Sequence, residues 1–409
     1  MRQHIESNVS LTPAQGALCR VLVGKPFPDT ASWTSADWAA FADRAAVPGF
    51  AWSVSEALSR SGWPEEMPAS VRDRLRTGRY VSAAQALYRF NRLPQALAPL
   101  ADPPPIPVVL LKGAALALTV YPDPAARTMG DIDVLIPRDR VDEAVARVMP
   151  LGYRAYGPEM GEGFNEHFSH HVALVRDDHH LPPLELHWTL ASGDHDRHTP
   201  DVGWFWDQTE PIDLAERLRQ RRFPPGALPQ PPIFVLQPGA NLLYLAAHLM
   251  LQHGGSQLSL RNLYDMHLVV EEQGARVDWD GLAPQAGRIR WAAALAAALA
   301  AARDLFDTPV PNGMVERLWA AADDASARLV ARRADPLQTR ATRLWNRASS
   351  LDWRSRLRLA IGVAVPGQGY MKYRYQPDPA WLWPLYYPYR WFDILREGVV
   401  TLWKKARSG

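Results

Sequence analysis

The sequence predicts an α/β chain of the α+β kind: a core with a small mixed sheet, flanked by N-terminal and C-terminal helical regions. Three observations predict it. Apolar residues recur at three and four in "LTPAQGALCRVLVG" and "SAAQALYRFNRLPQALAPL", and again beyond about residue 237, as in amphipathic helices. Short apolar runs that suit buried strands alternate with helical segments only between about 105 and 235. The proline run "ADPPPIP" at 101–107 breaks the chain between the two regimes. The expected regions are therefore 1–104 (helical), 105–235 (the core), 236–350 (helical) and 351–409 (a basic, aromatic-rich segment).

Within the core, "VVLL" at 108–111 is fully apolar and partly β-branched, which suits a buried strand. "GAALALTVY" follows as a short helix, "PDPAARTMG" as a turn, and "DIDVLIP" as a second strand. "RDRVDEAVARVMPLG" reads as a helix that ends on its glycine. Two more strands are expected at "HVALVR" (171–176) and "LELHWTL" (184–190). The later helices include "GANLLYLAAHLMLQH", "LSLRNLYDMHLVVEEQG" and the alanine-rich "WAAALAAALAAARDLF", which is expected to be a packing helix rather than a membrane span.

Composition narrows the function. A chain of 409 residues with 47% hydrophobic content can bury a sizeable core. Forty-five Lys and Arg against 43 Asp and Glu leave a net charge of +2, so nucleic acid is not an expected partner on global charge. The single cysteine, Cys19, fits a reducing compartment, and "MRQHIESNVSLTPAQ" lacks the apolar core of an export signal. The expected location is cytoplasmic, with a peripheral membrane contact as a further option.

Polar groups look placed in the stretch "VVLLKGAALALTVYPDPAARTMGDIDVLIP". In a strand, residues i and i+2 share a face, so Asp131 and Asp133 project together while Ile132, Val134 and Ile136 enter the core. Two adjacent carboxylates repel unless a cation joins them, and an oxygen-preferring divalent ion, Mg²⁺ or Mn²⁺, answers that. The same parity puts Glu185 and His187 on one face and Leu184, Leu186 and Trp188 on the other. A third carboxylate on an adjacent strand would complete a two-metal site for phosphoryl chemistry, with ions about 3.5–4 Å apart. Lys112 and Gly113 at a helix start let backbone amides and an ammonium approach a phosphate. Together these suggest nucleotidyl transfer.

At these residues the chain resembles the polymerase β-type nucleotidyltransferase superfamily, and more closely a bacterial family described as uncharacterised nucleotidyltransferases. The resemblance rests on "LLKGAAL", on Arg127 four residues before "DIDVLI", on "LELHW", and on His248 with "RNLYD" at 261–265. It covers roughly residues 30 to 310 and is strong between 108 and 190. One departure is that Lys-Gly stands where the superfamily usually has Gly-Gly or Gly-Ser. The resemblance implies Asp131, Asp133 and Glu185 as catalytic metal ligands, with Glu185 alternatively the base for the acceptor hydroxyl. It implies a nucleotide site of Lys112, Gly113, Arg127, His187, His248, Arg261 and Asp265. A nucleoside triphosphate would be the co-substrate, and the acceptor a small molecule, peptide or protein.

Bland readings stand beside these. Arg127 either steers triphosphate oxygens or bridges to Asp131 or a loop carbonyl. His187 packs or hydrogen-bonds beside the site, and Arg261 and Asp265, at i and i+4, form a salt bridge that shapes the cleft. Tyr244 and His248 share a helical face. Eight of the twelve histidines lie between 167 and 198, but their spacing matches no zinc motif, so loops and strand edges are expected for them. A metal-dependent glycosyltransferase would want a longer doubly wound sheet before the acids. A non-catalytic protein that binds a nucleotide or protein partner is the alternative function.

Residues 353–409 carry ten Lys or Arg against three acids, interleaved with aromatics. Trp391, Leu395, Val399 and Leu402 are expected on one helical face, followed by Lys404 and Lys405. This segment either lies on an anionic membrane, docks a partner, stacks on single-stranded nucleic acid, or packs back on the core.

Overall fold

The computed structural model describes residues 11–47, 49–157, 160–161, 163–191, 196–221, 223, 228–252, 259–334 and 340–396. Four helices come first: α1 (Pro13–Leu22), α2 (Ser35–Ala45), α3 (Ala51–Ser61) and α4 (Ala69–Phe90). Thr12 and Thr34 open the first two with capping boxes, each hydroxyl accepting from the third helical N–H. A short α5 (Leu93–Leu97) leads into the sheet.

The sheet has seven short strands: β1 (Val108–Leu110), β2 (Ile132–Leu135), β3 (Arg154–Ala155), β4 (His171–Val175), β5 (Leu184–His187), β6 (Thr209–Pro211) and β7 (Ile233–Leu236). Their order is β3-β4-β5-β2-β1-β7-β6. It is mixed: β1 pairs antiparallel with β2 and parallel with β7, and β2 pairs parallel with β5. The four expected strands are all present. Among the described residues β3, β6 and β7 are additions, and β7 flanks β1 at the centre.

Between strands lie α6 (Lys112–Thr119), α7 (Val141–Val148), α8 (Phe164–Phe168), α9 (Val202–Asp207) and α10 (Leu214–Gln220). The turn after α7 closes on Gly152, whose φ of +87° is the left-handed conformation expected of the glycine that ends this helix. Past β7 come α11 (Pro238–Ala247), a π-helical turn at His248–Gln252, α12 (Leu260–Gln273), α13 (Trp279–Arg288) and α14 (Ala292–Phe306). The alanine-rich α14 is buried on every side, its small side chains admitting close neighbours. Then follow α15 (Met314–Ala321), α16 (Asp324–Arg333), α17 (Arg340–Ser350), α18 (Trp353–Ala364) and α19 (Gln368–Tyr375). No helix among the described residues is long and apolar enough to cross a membrane.

Strand parity sorts the sheet between two cores. Val108, Leu110, Ile132, Val134, Leu184, Leu186 and Trp188 enter one core with Leu93, Leu97 and Leu218. Val109 and Leu135 point the other way, into a core where Leu18, Phe41 and Leu75 of the first helices join Leu243, Trp291 and Leu299 of the later ones. The two helical regions therefore share one core on one face of the sheet. Asp133, Glu185 and His187 have the parity of Leu135 and look toward that face.

The C-terminal helices rest on α8 through a small cluster of Phe164, Phe168, Leu351 and Leu359. Beyond it, Arg390 is buried and its Nε donates to Val363 O at 2.7 Å, while Trp391 Nε1 donates to Ala364 O at 2.7 Å. Much of the aromatic surface stays outside: Trp353 is 69% exposed, Trp381 71%, Phe392 64% and Leu395 69%. Of the expected face, Val399, Leu402, Lys404 and Lys405 lie outside the described residues.

Candidate functional site

Register brings the acids together. In the parallel β2–β5 pair Asp133 stands opposite Glu185, and in the antiparallel β4–β5 pair His171 stands opposite His187. Leu111 N–H continues the β1–β2 pairing by donating to Asp133 O at 3.0 Å, which places the next residue, Lys112, over the Asp133 side chain.

Lys112 Nζ lies 2.6 Å from Asp133 Oδ1 and 3.9 Å from Glu185 Oε2. His187 Nε2 lies 3.1 Å from the same Asp133 oxygen and 3.3 Å from Glu185 Oε2. Burial raises the Asp133 carboxyl, but the His187 hydrogen bond and the Lys112 ammonium outweigh it and hold Asp133 well below the usual carboxylate range. Burial likewise works against the Lys112 ammonium, and Tyr244, Asp133 and Glu185 overcome it, keeping Lys112 charged. The Tyr244 hydroxyl sits beside that ammonium without a hydrogen bond of ordinary geometry.

The Lys-Gly pair has its own backbone logic. Lys112 holds a left-handed φ of +46°, a conformation that favours glycine and costs a side-chain-bearing residue about 1–2 kcal/mol. The ion pair with Asp133 restrains it there. Gly113 is required for space: a Cβ there would come within 3.0 Å of Met129 Cβ and 3.4 Å of Arg127 Nη1. The glycine lets the 127–130 loop lie against the start of α6.

Asp131 lies one residue before β2 and lines the same cavity as Asp133 and Glu185. The close donor group, within 4.8 Å, is Asp133, Glu185 and His187, with Asp131 outside it. Burial first, and then the charges of Asp133 and Glu185, push the Asp131 carboxyl up to about 6. Asp133, Glu185 and His187 could hold a metal ion, with the Asp131 carboxyl on the same cavity wall.

Arg127 lines the cavity and makes a structural bridge, with a partner other than Asp131. Its Nε and Nη2 donate to Asp265 Oδ1 and Oδ2 at 2.8 and 2.9 Å, and its Nη1 donates to Thr128 O at 2.7 Å. Tyr121 Oη donates to Asp265 Oδ1 at 2.7 Å. Asp265 thus offers both oxygens to Arg127 and Tyr121 across the chain, and its charge also acts on Arg261, its i, i+4 neighbour. The Arg261 guanidinium lines the cavity and lies where a Cβ on Gly49 would meet it at 2.8 Å.

The cavity, about 600 Å³, is also lined by Lys112, Gly113, Arg127, His170, His171, His248 and Gln252, with Phe50 from the N-terminal helices. His248 opens the π-helical turn and its Nδ1 pairs with Gln252 Oε1; Gln252 Nε2 in turn donates to Leu190 O and Ala191 O. Such a turn widens the helix wall where it faces a site. His170 and His171, expected at loops and strand edges, and Gln252, which no sequence pattern marks, come to the cavity only through the β4–β5 pairing and the π-turn.

No curated protein and no solved structure is similar enough to the chain to count as a match. One protein-family model does match, across residues 34–307, which includes every strand, the whole cavity wall and the helices α2 to α14 that frame it. On that match the chain belongs to the family described as uncharacterised nucleotidyltransferase.

Proposed function

We propose that this cavity transfers a nucleoside monophosphate from a nucleoside triphosphate to an acceptor hydroxyl, releasing pyrophosphate. The observation that supports it most is the pairing of Asp133 with Glu185 in adjacent parallel strands, beneath Lys112 and beside Asp131, in one cavity of a nucleotidyltransferase-family chain. Mg²⁺ or Mn²⁺ held by Asp131, Asp133 and Glu185 would supply charge neutralisation on the phosphate oxygens.

The chain's own residues do the remaining work. Gly113 at the start of α6 offers backbone N–H groups to a phosphate, and Lys112, Arg261 and His248 give the cavity positive and polar contacts for the triphosphate. Glu185 accepts the acceptor's proton as its oxygen attacks the α-phosphorus; the bond from that phosphorus to the pyrophosphate oxygen breaks. His187 fixes Asp133 from behind, and the Arg127–Asp265 pair holds the loop that carries Asp131.

One observation favours a second reading, a non-catalytic protein that binds a nucleotide or protein partner: Lys112 already occupies an Asp133 oxygen that a metal would use. Calorimetric titration of each nucleoside triphosphate, with and without Mg²⁺, separates the two. The transferase reading expects Mg²⁺-dependent binding that Asp133→Asn weakens at least about tenfold. Binding indifferent to Mg²⁺ and to that substitution would transfer support to the second reading.

We also propose a cytoplasmic chain whose C-terminal segment lies on an anionic membrane surface. The support is the exposure of Trp353, Trp381, Leu385 and Phe392 within a segment that carries ten basic residues against three acids. Flotation with vesicles containing phosphatidylglycerol is expected, and Trp381→Ser with Phe392→Ser should reduce it severalfold. Equal flotation with neutral vesicles, or none, would refute the electrostatic membrane contact.

A further inference from the structure

The imidazoles of His170, His171 and His187 form a cluster, of which the nucleotidyl-transfer reading uses only His187, to position Asp133, and leaves His170 and His171 without a task. His170 precedes β4, His171 begins β4 and His187 ends β5, so the antiparallel pairing of His171 with His187 assembles the group. Ring centroids lie 4.4 Å apart for His170–His171, 5.3 Å for His170–His187 and 4.9 Å for His171–His187. One ring nitrogen from each lies within 4.8 Å of the others.

Hydrogen bonding decides which nitrogens are available: His170 Nε2 already lies 3.2 Å from the Gln252 side-chain amide nitrogen, a contact that an ion at that atom would displace. His187 Nε2 faces Asp133 Oδ1 at 3.1 Å and Glu185 Oε2 at 3.3 Å, and ionised carboxylates only accept, so Nε2 carries a proton. In the neutral ring Nδ1 is then a bare lone pair. That atom is buried and has no hydrogen-bond partner, on a residue that is 0% exposed. His171 Nδ1 is likewise buried and unpartnered. An orphaned buried lone pair on His187 Nδ1, beside the unpartnered His171 Nδ1, is costly, and the imidazole cluster asks for an electrophile.

We propose that His170, His171 and His187 bind a divalent transition-metal ion of the zinc class, beside the carboxylate site and distinct from it. Imidazole nitrogens suit Zn²⁺ and Co²⁺, whereas Mg²⁺ selects oxygen. Tetrahedral coordination at about 2.0–2.1 Å needs donor nitrogens roughly 3.4 Å apart, so side-chain rotations close the gap. His187 also has the outer partner that metal-bound histidines usually have, its second N–H donating to a carboxylate, here Asp133. His170 and His171 line the cavity, which leaves the fourth position facing its interior for a water or a substrate oxygen. The two sites touch through His187, so loading one orients the carboxylates of the other.

The test uses untagged, chelator-stripped full-length protein without nucleotide, so its outcome is independent of nucleotidyl transfer. Co²⁺ is added and its visible absorption recorded. One equivalent is expected to give the intense bands of a four- or five-coordinate nitrogen site, displaced by Zn²⁺ and resistant to excess Mg²⁺. His170→Gln and His171→Gln, on two adjacent positions at the edge of the cavity, should each weaken Co²⁺ binding at least about tenfold. Asp131→Asn should leave the bands in place. Absent bands would show the lone pairs are satisfied by water, and bands removed by Mg²⁺ or unchanged in both histidine variants would put the ion on the carboxylates; either overturns the proposal.

Discussion

Asp133→Ala is expected to lower nucleotidyl transfer by a factor on the order of 10³ and to destabilise the fold by about 3 kcal/mol. The first effect follows from its position: it stands opposite Glu185 and shares the cavity wall with Asp131, and removing it takes away one of the three carboxylates proposed to hold the cation. The second follows from its burial. The Lys112 and Asp133 side chains are only 15% and 4% exposed, and deletion of the carboxylate leaves an enclosed ammonium with Glu185 3.9 Å away and no hydrogen-bonded acid. The sequence alone leads one to expect activity lost and fold intact, since two carboxylates on a strand look solvated until Lys112 is placed over them. A double variant, Lys112→Met with Asp133→Ala, removes both charges and should regain most of the stability while staying inactive. Urea unfolding and pyrophosphate release check the two halves, and an Asp133→Ala protein that still releases pyrophosphate at the wild-type rate would refute the catalytic assignment.

Much of the fold is written in local pattern. "VVLL" and "DIDVLI" become β1 and β2 because their apolar residues fill both faces of a sheet covered on both sides, and the short helix after Lys112 follows from its alanines and leucines. β7 was equally legible: "IFVL" at 233–236 is as apolar and β-branched as "VVLL" and also follows a proline-rich turn. β3 and β6 carry no such signal. Arg154–Ala155 is exposed, and Thr209–Pro211 is half-exposed, so each is a strand only because a neighbour offers it an edge. Helices from both ends of the chain meet in one core, a long-range pairing that no local period encodes.

The site divides along the same line. Parity predicts that Glu185 and His187 share a face and that Leu184, Leu186 and Trp188 enter the core, and burial agrees. What parity cannot supply is the partner strand. The alignment of Asp133 with Glu185 and of His171 with His187 comes from register, and the capture of Asp265 by Arg127 joins residues 138 positions apart. The i, i+4 spacing of Arg261 and Asp265 is real on α12, where Asp265 acts on the Arg261 charge, but the bidentate Arg127 guanidinium that also binds this carboxylate is invisible to local spacing. Histidines dispersed through loops and strand edges look bland in sequence for the same reason: their convergence is tertiary.

Asp265→Ala is expected to be the most destabilising of the substitutions considered, by about 4 kcal/mol. Asp265 is 1% exposed and Arg127 8%, and the carboxylate accepts three hydrogen bonds, two from Arg127 and one from Tyr121. Burial works against the Arg127 guanidinium, and Asp265 with Tyr121 overcomes that, so the guanidinium stays charged in the core. Deleting the acid leaves that cation buried with Thr128 O as its remaining hydrogen-bond acceptor, and strands the tyrosine hydroxyl. Tyr121→Phe removes one neutral donor from the network and should cost only about 1 kcal/mol. The network also ties α12 to the loop that carries Met129, Gly130 and Asp131, so Asp265→Ala should weaken Mg²⁺-dependent triphosphate binding although Asp265 itself stands behind the cavity wall. Replacing both partners, Arg127→Met with Asp265→Leu, separates the two consequences: stability returns because no buried charge is left, whereas triphosphate binding stays weak because the loop has lost its anchor. Urea denaturation and calorimetry read the two quantities independently. Triphosphate affinity restored along with stability in the double variant would mean that the pair only holds the fold, and a loss below about 1 kcal/mol in Asp265→Ala would mean that water replaces the carboxylate and the buried network is not the tie between sheet and helices.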